Sequence, residues 1–355
     1  PNISAPVSTL LTALMDREGI RAVRLPVGGV EQIRVGKKYT HNDICFPAQI
    51  VIGEALAALK SGKYDGKDVA IATGKYIGDC RLTHYSALLR KALDDAGFSD
   101  VPILTNDDAD FHNLHPGFRL SLLSALRIAY ALPMIDILEE LLRKIRPYEL
   151  TKGNADAAFE QAMDAVIDGL SRHGVNGAKH GFEIIEARMS DVIQKSYFYR
   201  DMQVREYHLH KPLQEKLWYR MADLFFDLAH DAADKIASAH PLYDRPAVRL
   251  PELVKESDPI IHHTFDAGEG VLIPGEILHH AAHGCRAFVI LQPFGCLPNH
   301  VVGRGISKRL KELYPDIQIL PLDYDPDVSF ANIENRLQML IMNAREQEAE
   351  KDKTK

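Results

Sequence analysis

Apolar and polar positions alternate along the chain in two distinct ways. Val69-Ala-Ile-Ala-Thr73 is a short apolar run between a Gly-Lys-Asp turn and a glycine-bearing loop, the pattern of a strand buried on both faces. Beyond it, Tyr85, Leu88, Leu89, Ala92 and Leu93 recur at i, i+3, i+4, i+7 and i+8. That spacing predicts an amphipathic helix, with Gly97 placed to end it in the left-handed conformation. Val101 to Thr105 is the next predicted strand. The same order returns later, with a strand at Ala287-Phe-Val-Ile-Leu291, a helix carrying Val302, Ile306 and Leu310 on one face, and a strand from Ile317 to Leu322. Such strand–helix–strand units imply parallel pairing with right-handed crossovers.

Helical spacing also runs from about Leu120 to Arg146 and from Ala155 to Leu170, broken at Arg146-Pro147-Tyr148 by proline. Another helix pattern extends from about Pro212 to Ala239, ahead of a connector from His240 to Pro251. The expected fold class is α/β: two Rossmann-like or flavodoxin-like parallel-sheet domains with a helical insert. The first domain would span 1–118, the insert 119–180 and the second domain 181–343, leaving 344–355 as a solvated, disordered charged tail.

With 355 residues, 46% of them hydrophobic, the chain can bury a full core. Its net charge is −7 with both signs interspersed, and without a basic stripe nucleic acid is not an expected partner. The most apolar helical stretch, Ile128 to Leu142, contains Asp136, Glu139 and Glu140, so it is too short and too charged for a bilayer. Four cysteines and no secretory apolar region argue against a disulfide framework and for a cytoplasmic location.

Cys45-Phe46-Pro47 and Cys296-Leu297-Pro298 both begin a Cys-x-Pro turn into a helix, and Cys80 stands at another strand-to-helix corner. Proline at the first helical position has φ preset, so each cysteine lies just outside a helix whose free N–H groups point toward it. A negatively charged cluster would be stabilised there. In open parallel sheets ligands bind beyond the carboxyl ends of strands, where the Cys80 and Cys296 loops fall. Cys45 opens a helix with Ile50, Val51, Ile52 and Leu56 and would meet them across a domain cleft. Spacing alone leaves a second reading open, since a lone cysteine in a reduced cytosol is usually a small buried hydrophobe and no compact CxxC framework is present.

Several unusual strings carry a family resemblance. They are Tyr39-Thr-His41-Asn42-Asp43-Ile-Cys45-Phe-Pro47-Ala48, Gly78-Asp-Cys80-Arg81, Arg90-Lys-Ala-Leu-Asp-Asp-Ala-Gly97-Phe98, Gly268-Glu269-Gly270, Gln292-Pro293-Phe294-Gly295-Cys296-Leu297-Pro298-Asn299-His300 and Asp323-Tyr324-Asp325-Pro326. Together they resemble the 2-hydroxyacyl-CoA dehydratase D-component family, and more closely the C-terminal module of the large CoA-substrate-specific enzyme activases. The resemblance implies an oxygen-sensitive [4Fe-4S] cluster held between α/β domains by Cys45, Cys80 and Cys296, with one iron left open. It also implies an ATP-hydrolysing activator as electron donor and a CoA thioester as substrate class, which the dehydratases reduce to a ketyl radical. A homo- or hetero-dimer is expected by the same analogy.

Two departures stand out. Asp79 occupies a position where the family generally has glycine, and a carboxylate beside the cluster would disfavour its reduced form. Between His173 and His180 the chain skips a segment that relatives use. Arg81, His84, Asn299 and His300 are candidates to donate hydrogen bonds to cluster sulfurs or a substrate carbonyl, and Asn299 alternatively serves the helix N-terminus. His41, Asn42 and Asp43 read as an N-capping turn.

Cys285 precedes the Ala287 strand and reads as structural, a strand length of roughly 20 Å from Cys296. His279 and His283 at i, i+4, with His280 and Glu276 nearby, suit zinc by spacing. They lack the H-E-x-x-H signature, and like His262 and His263 they read as solvated or packed histidines. Gly28-Gly29 and Gly268-Glu269-Gly270 lack phosphate-loop spacing and read as turns. No stretch is left to build an ATPase, so ATP hydrolysis belongs to a partner. The alternatives to an electron-accepting iron–sulfur protein are a radical-type 2-hydroxyacyl-CoA dehydratase subunit and a non-catalytic scaffold stapled by a metal.

Overall fold

The computed structural model describes residues 4–74, 79–105, 121–173, 189–241, 243 and 248–353. Gly78 of the Gly78-Asp-Cys80-Arg81 string, the skipped segment after His173 and part of the His240 to Pro251 connector lie outside the described residues. Contacts divide the chain into two interleaved units, one made of Pro1–Val27 with Leu104–Leu250 and the other of Gly28–Ile103 with Pro251–Lys355.

The first unit is helical. Its helices are Ala5–Arg17, Leu122–Ile145, Asn154–His173, Met189–Glu206 and Leu213–Ala237. Ser121 caps the long second helix, its hydroxyl accepting from the Ser124 N–H at 3.1 Å, which satisfies one of the donors a helix start leaves open. Arg146–Tyr148 forms a 3₁₀ turn where proline was expected to break the pattern. Leu10, Leu14, Met134, Ile135, Leu138, Leu141, Phe159, Met163, Val166 and Ala233 share one buried cluster. The expected 119–180 insert is therefore only part of a larger helical body. The apolar faces of Ala5–Arg17 and Leu213–Ala237 close over Leu122–Ile145 and recruit segments that the local pattern assigned to flanking domains.

The second unit holds the strands. Ala287–Pro293 pairs in parallel with Gln318–Tyr324, Ala287 opposite Gln318 and Pro293 opposite Tyr324. Ile71–Ala72 pairs with Ile103–Leu104 in another two-stranded parallel sheet. The α/β grammar is present in a mostly helical molecule, and each sheet described has two strands. The expected Val69 to Thr73 strand shortens to two residues because only Ile71 of the pair is buried, and its partners Ile103 and Leu104 are half-buried. Little of this sheet is buried on both faces, unlike the strand that the apolar run predicts.

Between these strands the Tyr85–Asp95 helix buries Tyr85, Leu89, Ala92 and Leu93. It ends as expected: Gly97 has φ 84°, its N–H donates to Asp94 O, and the Phe98 N–H donates to Leu93 O at 2.8 Å, a Schellman closure. Val302, Ile306 and Leu310 are likewise buried together with Ile277, Leu278, Ile290 and Ile317. The expected disordered tail is corrected, because Phe330–Lys353 is one continuous helix. Its Glu, Lys, Arg, Gln and Ala are strong helix formers, and solvation does not prevent them from forming one. No described helix is long and apolar enough to cross a membrane.

Candidate functional site

Cys45, Cys80 and Cys296 all stand in the second unit, not on two sides of a domain cleft. Each occupies the residue just before a helical turn. Cys45, with φ −60° and ψ 139°, precedes Phe46–Lys60, and Cys80 precedes the 3₁₀ turn Arg81–His84 that runs into Tyr85–Asp95. Cys296, with φ −71° and ψ 121°, precedes a π-helical turn over Leu297–Val302. The proline that follows two positions after Cys45 and Cys296 sits in the first turn of each helix, where it forfeits no hydrogen bond. Extended dihedrals followed by a free helix start leave backbone donors aimed back at the thiol. The Leu82 N–H faces Cys80 and the Asn299 N–H faces Cys296.

The loops are tied to one another. The Phe46 N–H, which has no partner within its own helix, donates to Phe294 O at 2.9 Å and joins the Cys45 turn to the Cys296 turn. Gly295 has φ 70°, and a Cβ on it would lie 3.2 Å from the Cys45 Cα. Both the left-handed backbone and the close approach call for glycine. Arg81 Nη1 donates to Asp43 O at 3.2 Å, and the Asp79 N–H donates to Asp266 O at 3.4 Å. Asn299 Nδ2 donates to Glu269 Oε1 and lies 3.5 Å from Cys296 Sγ. Four loops thus converge: His41–Phe46, Asp79–His84, Asp266–Gly270 and Phe294–His300.

The thiols share one electrostatic environment. Cys45 is 3% exposed, and Cys80 and Cys296 are half-buried. Burial pushes the Cys80 thiol above its ordinary pKa, opposed by the Leu82 N–H and reinforced by Glu269, Cys296 and Cys45. Burial likewise raises Cys296, against hydrogen bonds from Asn299 and together with the charges of Glu269 and Cys45. Tyr85 Oη lies 2.8 Å from Cys45 Sγ, and its pKa is raised by burial and then by Cys45. The phenol therefore stays protonated and has a proton to donate toward sulfur. Burial and the Glu269 carboxylate thus disfavour ionisation of Cys80 and Cys296, and a cationic core that took the place of their protons would remove that penalty.

Of the residues singled out from sequence, Arg81 braces the Cys45 loop through Asp43 O, and Asn299 touches Cys296 as anticipated. His300 turns away from donation: its Nδ1 accepts the Gly295 N–H at 3.2 Å and its Nε2 is 4.0 Å from Asp323. His84 is exposed at the 3₁₀-to-α junction. His41, Asn42 and Asp43 do not cap the helix, because Cys45 holds that position and the His41 ring instead accepts the Asp43 N–H. Asp79 is exposed. Cys285 is exposed at the start of the Ala287–Pro293 strand, whose seven residues separate it from Cys296. His279 Nδ1 pairs with Glu256 at 3.2 Å, and its ring sits 4.4 Å from that of His283.

Two residues of the site escaped the sequence pattern. Tyr85 fits the apolar stripe, and only the need of a buried hydroxyl for a partner marks it. Glu269 is hidden between two turn glycines. Gln292, fully buried four residues before Cys296, leaves both amide atoms unpartnered beneath the π-helical turn.

The three sulfurs do not all fall within 4.8 Å of one another, whereas a tetrahedral zinc with bonds of about 2.3 Å would draw them to roughly 3.8 Å. No family model matches the chain, and neither a curated protein nor a solved structure matches it.

Proposed function

We propose that this chain is an iron–sulfur redox protein in which Cys45, Cys80 and Cys296 hold a [4Fe-4S] cluster. It accepts electrons from an ATP-hydrolysing activator within a low-potential reductase or dehydratase system that acts on a CoA thioester. The observation that carries this reading is the convergence of three cysteines, each at the start of a helical turn, in one electrostatic environment. When bound, the cluster would supply one-electron transfer and an open iron. The chain's own contribution is to orient the three thiols, to direct the Leu82 and Asn299 N–H groups at sulfur, and to keep a protonated phenol at Cys45. Donors to sulfur raise a cluster's potential, and the Glu269 carboxylate lowers it. The two strand–helix–strand segments are taken as the cores of Rossmann-like or flavodoxin-like layers, with the cysteine loops at their carboxyl ends.

Anaerobic purification followed by iron, sulfide and paramagnetic resonance measurements tests the proposal. About four irons and four sulfides per chain are expected, with iron lost in Cys80→Ala and kept in Cys285→Ala. Colourless protein containing one zinc ion, or full cluster absorbance in Cys80→Ala, would sink it.

A further inference from the structure

The turn after the Leu250–Glu256 helix brings Asp258, His262 and His263 together, with one ligand atom of each lying within 4.8 Å of the others. Asp258 Oδ1 receives the His263 backbone N–H at 2.8 Å and sits 2.8 Å from His263 Nδ1. A carboxylate can only accept, so without a metal a proton lies between Asp258 Oδ1 and His263 Nδ1, and a cation bound by both groups would take that proton's place. On the neighbouring residue, His262 Nδ1 lies 2.9 Å from Thr264 Oγ1. The two rings lie side by side, centroids 4.1 Å apart and planes 30° from parallel. Asp258 holds the His263 ring and Thr264 holds the His262 ring, and together these local bonds leave three donor atoms close to one another.

We infer that Asp258, His262 and His263 form a surface site for a divalent transition metal of the zinc class, distinct from the cysteine site. Two imidazoles and one carboxylate are a catalytic-type zinc donor set, and they exclude magnesium and calcium, which prefer all-oxygen shells. Asp258 and His262 are exposed and His263 is half-buried, so water completes the coordination and the ion enters without rearrangement of the core. The turn continues into Asp266 and Glu269, which touch Asp79 and Asn299. A metal here would therefore stiffen one wall of the thiol site.

The test titrates the full chain with Co²⁺ and reads its visible spectrum. One equivalent is expected to bind with d–d bands and no sulfur-to-cobalt charge transfer, and Zn²⁺ should displace it. Cobalt held by the cysteines would show the sulfur band, so the two sites fail or succeed separately. His262→Ala should weaken the sulfur-free binding by about 10- to 100-fold, and Asp258→Asn by a similar factor. Because His262 is exposed, its truncation should leave the fold intact, and unchanged circular dichroism would verify that. Absence of a sulfur-free cobalt spectrum, or equal affinity in wild type and His262→Ala, would overturn the site.

Discussion

All four cysteines stand in Gly28–Ile103 and Pro251–Lys355, and the helical unit of Pro1–Val27 and Leu104–Leu250 has none. Both units bury polar groups, but they treat them differently. In the helical unit several are answered by a named partner: from one helix to another Gln194 Nε2 donates to Asp223 and Asp227 at 2.9 Å each and the Ser190 N–H donates to Asp136 at 2.8 Å, and within one helix Lys195 Nζ lies 3.8 Å from the Tyr199 ring centroid. Around the cysteines, burial raises the Cys80 and Cys296 pKa, and the neighbouring Glu269 and thiol groups add to it. Paired polarity fixes how helices pack, whereas grouped thiols that burial keeps protonated become ligands when a cation takes the place of their protons. The site proposed for the cluster lies in the second unit.

The largest effect expected from breaking this comparison is in the helical core. Leu138 is fully buried among Leu10, Met134 and Val166, so Leu138→Ala should cost about 2–5 kcal/mol from lost transfer energy and the cavity left behind. Denaturant unfolding followed by circular dichroism measures it. Iron bound per chain in the anaerobically prepared variant should match wild type, and parallel loss of iron would show that the two units do not divide their roles in this way.

The mirror experiment acts on the cysteine unit. Gly295→Ala forces a left-handed backbone at a cost of about 1–3 kcal/mol, and its Cβ meets the Cys45 Cα at 3.2 Å. The Cys45 and Cys296 loops must separate to admit it. Iron retention should fall severalfold while the helical signal of Leu122–Ile145 and its neighbours is kept. Full iron retention in Gly295→Ala would mean that the close packing of these loops does not set the sulfur positions.

How far these features were legible depends on the range of the interaction that sets them. The Cys-x-Pro turns are local, and the structure puts Cys45 and Cys296 at helix starts as the spacing predicts. The Schellman ending at Gly97 is local too. Strand length was not legible, since an apolar run such as Val69 to Thr73 does not name its pairing partner and only Ile71–Ala72 pairs. Unit membership was hidden for the same reason: Leu10 and Val166 share a core across more than a hundred residues of chain. The contacts of Glu269 with Asn299 and of Tyr85 with Cys45 join distant segments whose local patterns look ordinary. Composition misled at the C-terminus, because charge reports solvation and not conformation, and the helix runs on to Lys353.

The smallest effect sharpens the comparison from the helical side. Burial raises the Asp223 pKa; Gln194 opposes this by hydrogen bonding, and the nearby charges of Asp227 and Asp201 add to it. A folded pKa above the unfolded value means that the stabilising contribution is complete below the ordinary aspartate range near 3.9 and is lost as pH rises through the folded value. At neutral pH the penalty is already in force. Asp223→Asn keeps an acceptor for Gln194 Nε2 and removes the charge, so it should stabilise the helical unit at pH 7 by less than about 1 kcal/mol once solvent screening is counted. The advantage should shrink to zero on acidification, because protonated wild type then equals the variant in charge. Urea unfolding at several pH values resolves the trend. A variant less stable than wild type at neutral pH would show that Arg205 holds Asp223 charged, and that the helical unit also depends on an ion pair the comparison assigns no such weight.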